Sequence, residues 1–183
     1  MTQTQRSVAE VYAILPDNVT EDISPQDLRD ALETWLPGHG SIFVPAAAAA
    51  VITIPNTADY VECTAPAWSL HAGGHLFDES DGNGRLTYTG VANVIAHISA
   101  SVSMTSGNNG QVTHWRLGIN GTPDASSESQ RKIGTGTDVG ALALHEVAEL
   151  ATGDHISLFV RNATAANDVT VEVAQIAAIT IPE

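Results

Sequence analysis

Residues 39–183 are expected to form an all-β domain, an antiparallel jelly-roll β-sandwich, with residues 1–38 as a short helical arm in front of it. Three observations predict this. From about residue 40 onward, short runs rich in Val, Ile and Thr are punctuated by Gly, Asn and Asp; one long run, Ala92–Met104, keeps a period of two; and no helical period competes convincingly over the last hundred residues.

The arm comes first. Ser24 followed by Pro25, with Asp27 three positions on, is a helix start: the hydroxyl caps a free amide, proline fits the first turn and the acid suits the helix dipole. Leu28, Ala31, Leu32 and Trp35 then recur at i, i+3, i+4 and i+7, one apolar stripe that Pro37 and Gly38 stop. Upstream, Val8, Val11, Ile14 and Leu15 give a weaker pattern before Pro16, Asp17 and Asn18 turn the chain. A helix of about ten residues is marginal alone, so its stripe must bury against the main domain or a partner.

Eight strands are expected in the body, over residues 51–54, 60–64, 85–88, 92–104, 111–119, 141–150, 155–162 and 169–181. In the fourth, Val94, Ala96, Ile98, Ala100, Val102 and Met104 alternate with Asn93, His97, Ser99, Ser101 and Ser103, which implies one buried face. Gly107-Asn108-Asn109-Gly110 reads as a hairpin loop, after which Trp115, Leu117 and Ile119 supply the next apolar face, and Asn120-Gly121 closes that strand as a turn. Residues 140–150, with four alanines and leucines at the start, leave helix and strand open. Thr152-Gly153-Asp154 is a further tight turn before Ile156, Leu158 and Val160, and Val169, Val171 and Val173 begin the last strand. Ala46–Ala50 is expected to be an extended connector packed closely against a neighbour. Strands joined mostly by hairpins and longer loops indicate a jelly roll.

Charge narrows the functions. Seven Lys and Arg against 21 Asp and Glu give a formal net charge of −14, and Lys132 is the only lysine. A phosphate backbone is gripped by clustered basic residues, so nucleic acid is not an expected partner, and an acidic surface repels anionic lipid. No stretch approaches the roughly 18 apolar residues of a membrane helix. Residues 1–10 lack the pattern of a secretory signal, so synthesis in a cytoplasm is expected. Cys63 stands alone, which excludes an intramolecular disulfide; in a strand context it is read as a small hydrophobe.

Several groupings imitate catalytic sites. His145-Glu146-Val147-Ala148-Glu149 approaches H-E-x-x-H, but position 149 is Glu, and a strand would separate the side chains. Asp78, Asp81, Gly82, Asn83 and Gly84 lack the ligand spacing of an EF-hand and read as a solvated turn. Gly134, Gly136 and Gly140 lack the Gly-Lys-Ser/Thr of a phosphate loop. His71 and His75 flank a glycine turn, whereas His97 and His114 are expected to meet across a hairpin. Trp115 is expected in the core, with Trp35 and Trp68 open between core and contact surface. No catalytic residue, metal or cofactor is assigned.

Two stretches carry a resemblance. Ile14-Leu15-Pro16-Asp17-Asn18 followed by Ile23-Ser24-Pro25-Gln26-Asp27-Leu28-Arg29-Asp30 resembles the N-terminal module of tailed-bacteriophage virion proteins. Gly84–Gly90, Ile119–Thr122, Ser129–Lys132, Gly136–Gly140 and Gly153–Leu158 resemble phage structural domains of the C1q/TNF-like jelly-roll type. The resemblance implies a virion component, an assembled homotrimer with no catalytic residue carried over, and fits a head decoration protein and a head or tail fibre alike. A place on the capsid surface, after synthesis in the host cytoplasm, is expected because the chain is short and has no coiled-coil or repeat shaft. The expected role is a capsid decoration (cement or head-fibre) protein whose arm attaches to the major capsid protein, another virion protein or adjacent subunits. Ile14, Leu15, Leu28, Leu32 and Trp35 are the expected apolar anchors, with Asp27 and Arg29 at the rim. The competing expectations are a tail- or head-fibre receptor-binding protein recognising host glycan or protein, and a metal hydrolase built on His145 and Glu146.

Overall fold

Alternating side chains build two facing sheets. The computed structural model describes residues 27, 30–32, 36–79, 81–135 and 138–181. The strands are β1 (His39–Val44), β2 (Ala50–Ile52), β3 (Val61–Glu62), β4 (Ser69–Leu70), β5 (Phe77–Asp78), β6 (Leu86–Tyr88), β7 (Val94–Ser106), β8 (Gln111–Ile119), β9 (Thr122–Pro123), β10 (Ser129–Ile133), β11 (Gly140–Leu150), β12 (His155–Asn162) and β13 (Val169–Ile181). Single 3-10 turns cover Ala46–Ala48 and Ala125–Ser127. One sheet, A, runs β11-β7-β13-β1-β4, with β2 beside β13; the other, B, runs β10-β8-β12-β6-β5, with β3 beside β12 and β9 beside β8. The described strand pairs are antiparallel, so the jelly-roll sandwich expected from the sequence is the fold.

The core lies between the sheets. Ala96, Ile98, Ala100, Val102 and Met104 of β7 face Trp115 and Leu117 of β8 and Ile156, Leu158 and Val160 of β12, all buried. Trp115 donates its indole N–H to Thr113 Oγ1 at 2.9 Å, which satisfies its one polar atom inside the core. Trp68, left open by the sequence, is also buried, and donates to the Cys63 carbonyl at 2.9 Å. Residues 140–150 are strand: paired along their whole length with β7, they alternate buried and exposed with period two.

The connections differ from those expected. Residues 107–110 do not close a hairpin: β7 pairs with β11 and β13 on its two sides, so it has no free edge for β8, and the loop arches from sheet A to sheet B. His97 and His114 therefore lie in different sheets and do not meet. The steps β10 to β11, β11 to β12 and β12 to β13 also cross between sheets. Asn120-Gly121 does make a two-residue hairpin between β8 and β9, with φ of 52° and 79° as a type I′ turn requires.

Two local features depart from a plain connector and a plain strand. Ala46–Ala50 is not extended throughout: its first three residues form a 3-10 turn closed by Ala48 N–H to the Pro45 carbonyl at 2.8 Å, and while Ala46, Ala47 and Ala49 are exposed, Ala48 packs against the core and Ala50 pairs with Val171. Val173 points outward at 43 % exposure, because the β13–β7 register shifts between Val171 and Val173 and this bulge inverts the alternation.

Of the arm, Asp30 and Ala31 are buried helical residues and Leu32 is 53 % exposed, so the predicted stripe is split at its centre. Gly38 leads into β1, donating its N–H to Thr180 Oγ1 at 2.6 Å.

Candidate interaction surface

The outward positions of sheet A follow from its registers. Across β11, β7, β13 and β1 the rows read Val147, His97, Ile179 and His39; then His145, Ser99, Ala177 and Ser41; then Ala143, Ser101, Gln175 and Phe43. None of these twelve residues is Lys, Arg, Asp or Glu. Acidic groups enter only toward the ends, as Glu149 beside Ile95 and as Glu172, whose carboxylate accepts from Thr105 Oγ1 at 2.8 Å. Val147 is 62 % exposed and Ile179 54 %, with Ile95, Val173 and Ile181 also open. Two shallow depressions of about 210 and 200 Å³ lie on this face, one against Ser41, His71 and Ala177, the other against Ser99, His145 and Gln175.

Imidazoles line the same surface in pairs. His97 and His145 stack with ring centroids 5.7 Å apart and planes 20° apart, and His39 lies 6.2 Å from His75. His145 is thus exposed on the outward face whereas the next residue, Glu146, is buried on the inward one. Alternation on a strand separates the two groups a metal hydrolase would need together.

Sheet B is its electrical opposite. All five Lys and Arg among the described residues lie on or beside its strands: Arg85, Arg116, Arg131, Lys132 and Arg161. Several are already engaged. Glu128 accepts from Tyr60 O–H at 2.6 Å, His114 Nδ1 at 2.9 Å and Arg116 Nε at 2.7 Å, bonds that hold its carboxyl down at about 2. Arg116 and Arg161 sit over the Tyr60 ring, 4.3 and 5.1 Å from its centroid. Arg85 grips Glu62 through Nε and Nη2 at 3.0 and 2.9 Å, and that pairing lowers the Glu62 carboxyl.

One inward carboxyl stands apart. Glu146, 9 % exposed, borders an opening at the sandwich edge of about 380 Å³, lined by Ile119, Thr122, Pro123, Asp124 and Ala125. Burial, and after it the facing Asp124 carboxyl, pushes Glu146 up to about 7. Asp124 also caps the second 3-10 turn, accepting Ser126 N–H at 2.7 Å, a bond that holds its own carboxyl low.

Of the anchors expected from the sequence, Ile14, Leu15, Leu28, Arg29 and Trp35 lie outside the described residues, and Asp27 is half-buried. Among the described residues no three His, Cys, Asp or Glu side chains group as a metal site. The Asp78–Gly84 loop is a turn tied by Asp81, which accepts Asn83 N–H at 2.9 Å and pairs with Arg85 at 3.4 Å.

No protein-family model and no curated protein matches the chain. Among solved structures, Eiger TNF from S. frugiperda superposes on 80% of this chain and 94% of its own, with a TM-score of 0.50 at 10% identity. Murine APRIL at pH 5.0 aligns with 78% of this chain and 99% of its own, with a TM-score of 0.47 at 11% identity. The likeness to Eiger establishes a TNF-type jelly-roll fold.

Proposed function

We propose that this chain is a non-enzymatic assembly domain that forms a homotrimer through the outward face of sheet A. One observation carries the reading. Copies that each bear a formal charge of −14 repel one another, so they pack together most readily where charge is absent, and the central rows of sheet A are such a place. Covering Val147 and Ile179 there contributes roughly 1 kcal/mol per side chain, given that about half of each is open to water. Sheet B, where Arg85 and Arg116 are paired to Glu62 and Glu128, stays in solvent.

Within a virion, such a trimer would decorate the capsid surface, with residues 1–38 reaching the major capsid protein or another virion protein. That placement rests on the resemblance of the arm, whose anchors would be Ile14, Leu15, Leu28, Leu32 and Trp35 with Asp27 and Arg29 at the rim. A glycan-reading fibre tip is less well supported: neither described tryptophan is exposed, and no described Phe or Tyr is exposed either.

The assembly reading is tested by light scattering behind gel filtration. Wild type is expected at three times the 19.1 kDa chain mass. Ala177→Glu, which sets a charge between Ser99 and Ser41, is expected at the monomer mass with unchanged circular dichroism. A wild-type monomer, or an Ala177→Glu trimer, overturns it. Placement on the virion is tested by imaging particles made with and without the gene: extra density on the capsid in the former supports it, identical capsids reject it.

A further inference from the structure

We propose that the edge cleft between β11 and the β9–β10 connection, where the Glu146 and Asp124 carboxyls converge, binds a hard divalent cation of the calcium type.

Position 146 is a core-facing position of its strand, in line with Leu144 and Leu150, which are buried. A carboxyl there runs against the pattern and is costly unless something compensates it. What the protein supplies is a hydrogen bond between the protonated Glu146 carboxyl and Asp124, and no facing positive charge. Glu146 Oε2 is fully buried and has no hydrogen-bond partner, and the group that faces it is another acid, Asp124. The nearest basic influence, Arg116, is felt by Asp124 but is committed to Glu128 and stacked on Tyr60.

An orphaned oxygen, a second carboxyl and an opening of about 380 Å³ suit a cation that keeps part of its water shell. Calcium takes six to eight oxygens from carboxylates, carbonyls and water. Two carboxyls provide at most four, and the cleft leaves room for waters to complete the set. No His or Cys lines it, which disfavours softer transition metals. Few protein ligands predict weak binding, with a dissociation constant of order 10⁻⁴ to 10⁻³ M. The inference is independent of the trimer, because both ligands come from one chain.

The test uses the full chain after chelator treatment, followed by thermal unfolding and calorimetric titration with calcium chloride against sodium chloride of equal ionic strength. Glu146→Gln and Asp124→Asn each remove one carboxylate, and asparagine preserves the cap on the 3-10 turn. Asp81→Asn, in the exposed loop, controls for loss of one negative charge elsewhere. At a tenfold excess over the dissociation constant, the wild type and Asp81→Asn midpoints are expected to rise by roughly 3–6 °C. Glu146→Gln and Asp124→Asn are expected to show no calcium-specific rise and no binding heat. No rise in wild type, or an equal rise in all four proteins, overturns the site.

Discussion

Replacing Glu146 by glutamine should make the protein more stable, and by an amount that depends on pH. In the folded chain the Glu146 carboxyl sits near 7, against an ordinary value of 4.5, because it is buried and faces Asp124. A carboxyl raised in this way favours the folded state while protonated. Its contribution is fully present below about pH 4.5 and is lost as pH rises through 7. At about 1.4 kcal/mol for each pH unit between the two values, ionising the folded state at pH 8 costs about 3 kcal/mol relative to the unfolded chain. Glutamine has the same shape, carries no charge, and can donate its amide N–H to Asp124.

Glu146→Gln and wild type should therefore coincide within a few tenths of a kcal/mol at pH 4 and separate as pH rises. By pH 8 the variant should lead by about 3 kcal/mol, or roughly 6–12 °C in midpoint for a domain of this size. Paired thermal melts in chelator, from pH 4 to 8, read the difference directly. Contributions that both proteins share, such as Glu128 and Glu62, whose carboxyls are lowered and act in the opposite sense, cancel. A gap that is constant with pH would refute the reasoning, as would a wild type more stable than the variant at pH 8.

Other perturbations probe the body. Gly84 has φ of +75°, and a Cβ there would lie 2.3 Å from the buried Trp68 indole nitrogen, so Gly84→Ala should cost about 2–4 kcal/mol in denaturant unfolding. Ser127→Ala should cost about 1–3 kcal/mol, because the buried hydroxyl accepts the Leu117 N–H at 2.9 Å and nothing else would satisfy that amide. Cys63 is buried and its thiol is pushed well above the usual range, so it should resist a thiol reagent in the native protein and react on unfolding; native labelling at the rate of a free thiol would contradict its placement.

The strands legible in the sequence are the ones whose inward face is mostly apolar, even where Gln111, Thr113, Asn162 and Thr180 interrupt it. Residues 111–119, 155–162 and 169–181 begin and end where the sequence placed them, and the alternation of Ala96 through Met104 is the buried face of β7. β1 was hidden by a glycine: its inward members are Gly40, Ile42 and Val44, and Gly40 is small because Phe77 packs on it, a Cβ coming within 2.4 Å of the Phe77 Cβ. β10, an edge strand reading Ser129-Gln130-Arg131-Lys132-Ile133, buries only Ile133, so it has almost no apolar period to find. Local sequence also says nothing about which sheet the next strand joins. A Gly-Asn-Asn-Gly loop turns the chain equally well between paired strands and between layers, so the sequence alone makes the β7–β8 step look like a hairpin.

The same gap concealed the proposed interaction surface. His97, Ser99, Ser101 and Ser103 look from sequence like an ordinary solvated strand face. Their meaning changes only when the registers set them between Ala141, Ala143 and Val147 on one side and Gln175, Ala177 and Ile179 on the other. Three strands separated widely in sequence each omit Lys and Arg from their outward positions, in a chain where acids outnumber bases three to one. The common omission could have been found by scoring each strand's outward half for charge rather than for hydropathy. Solubility at −14 needs no neutral face, and a solvated strand tolerates lysine or glutamate at almost any outward position. A surface whose central rows are free of both, on the sheet opposite all the described basic residues, is one along which copies of a highly acidic protein can approach one another.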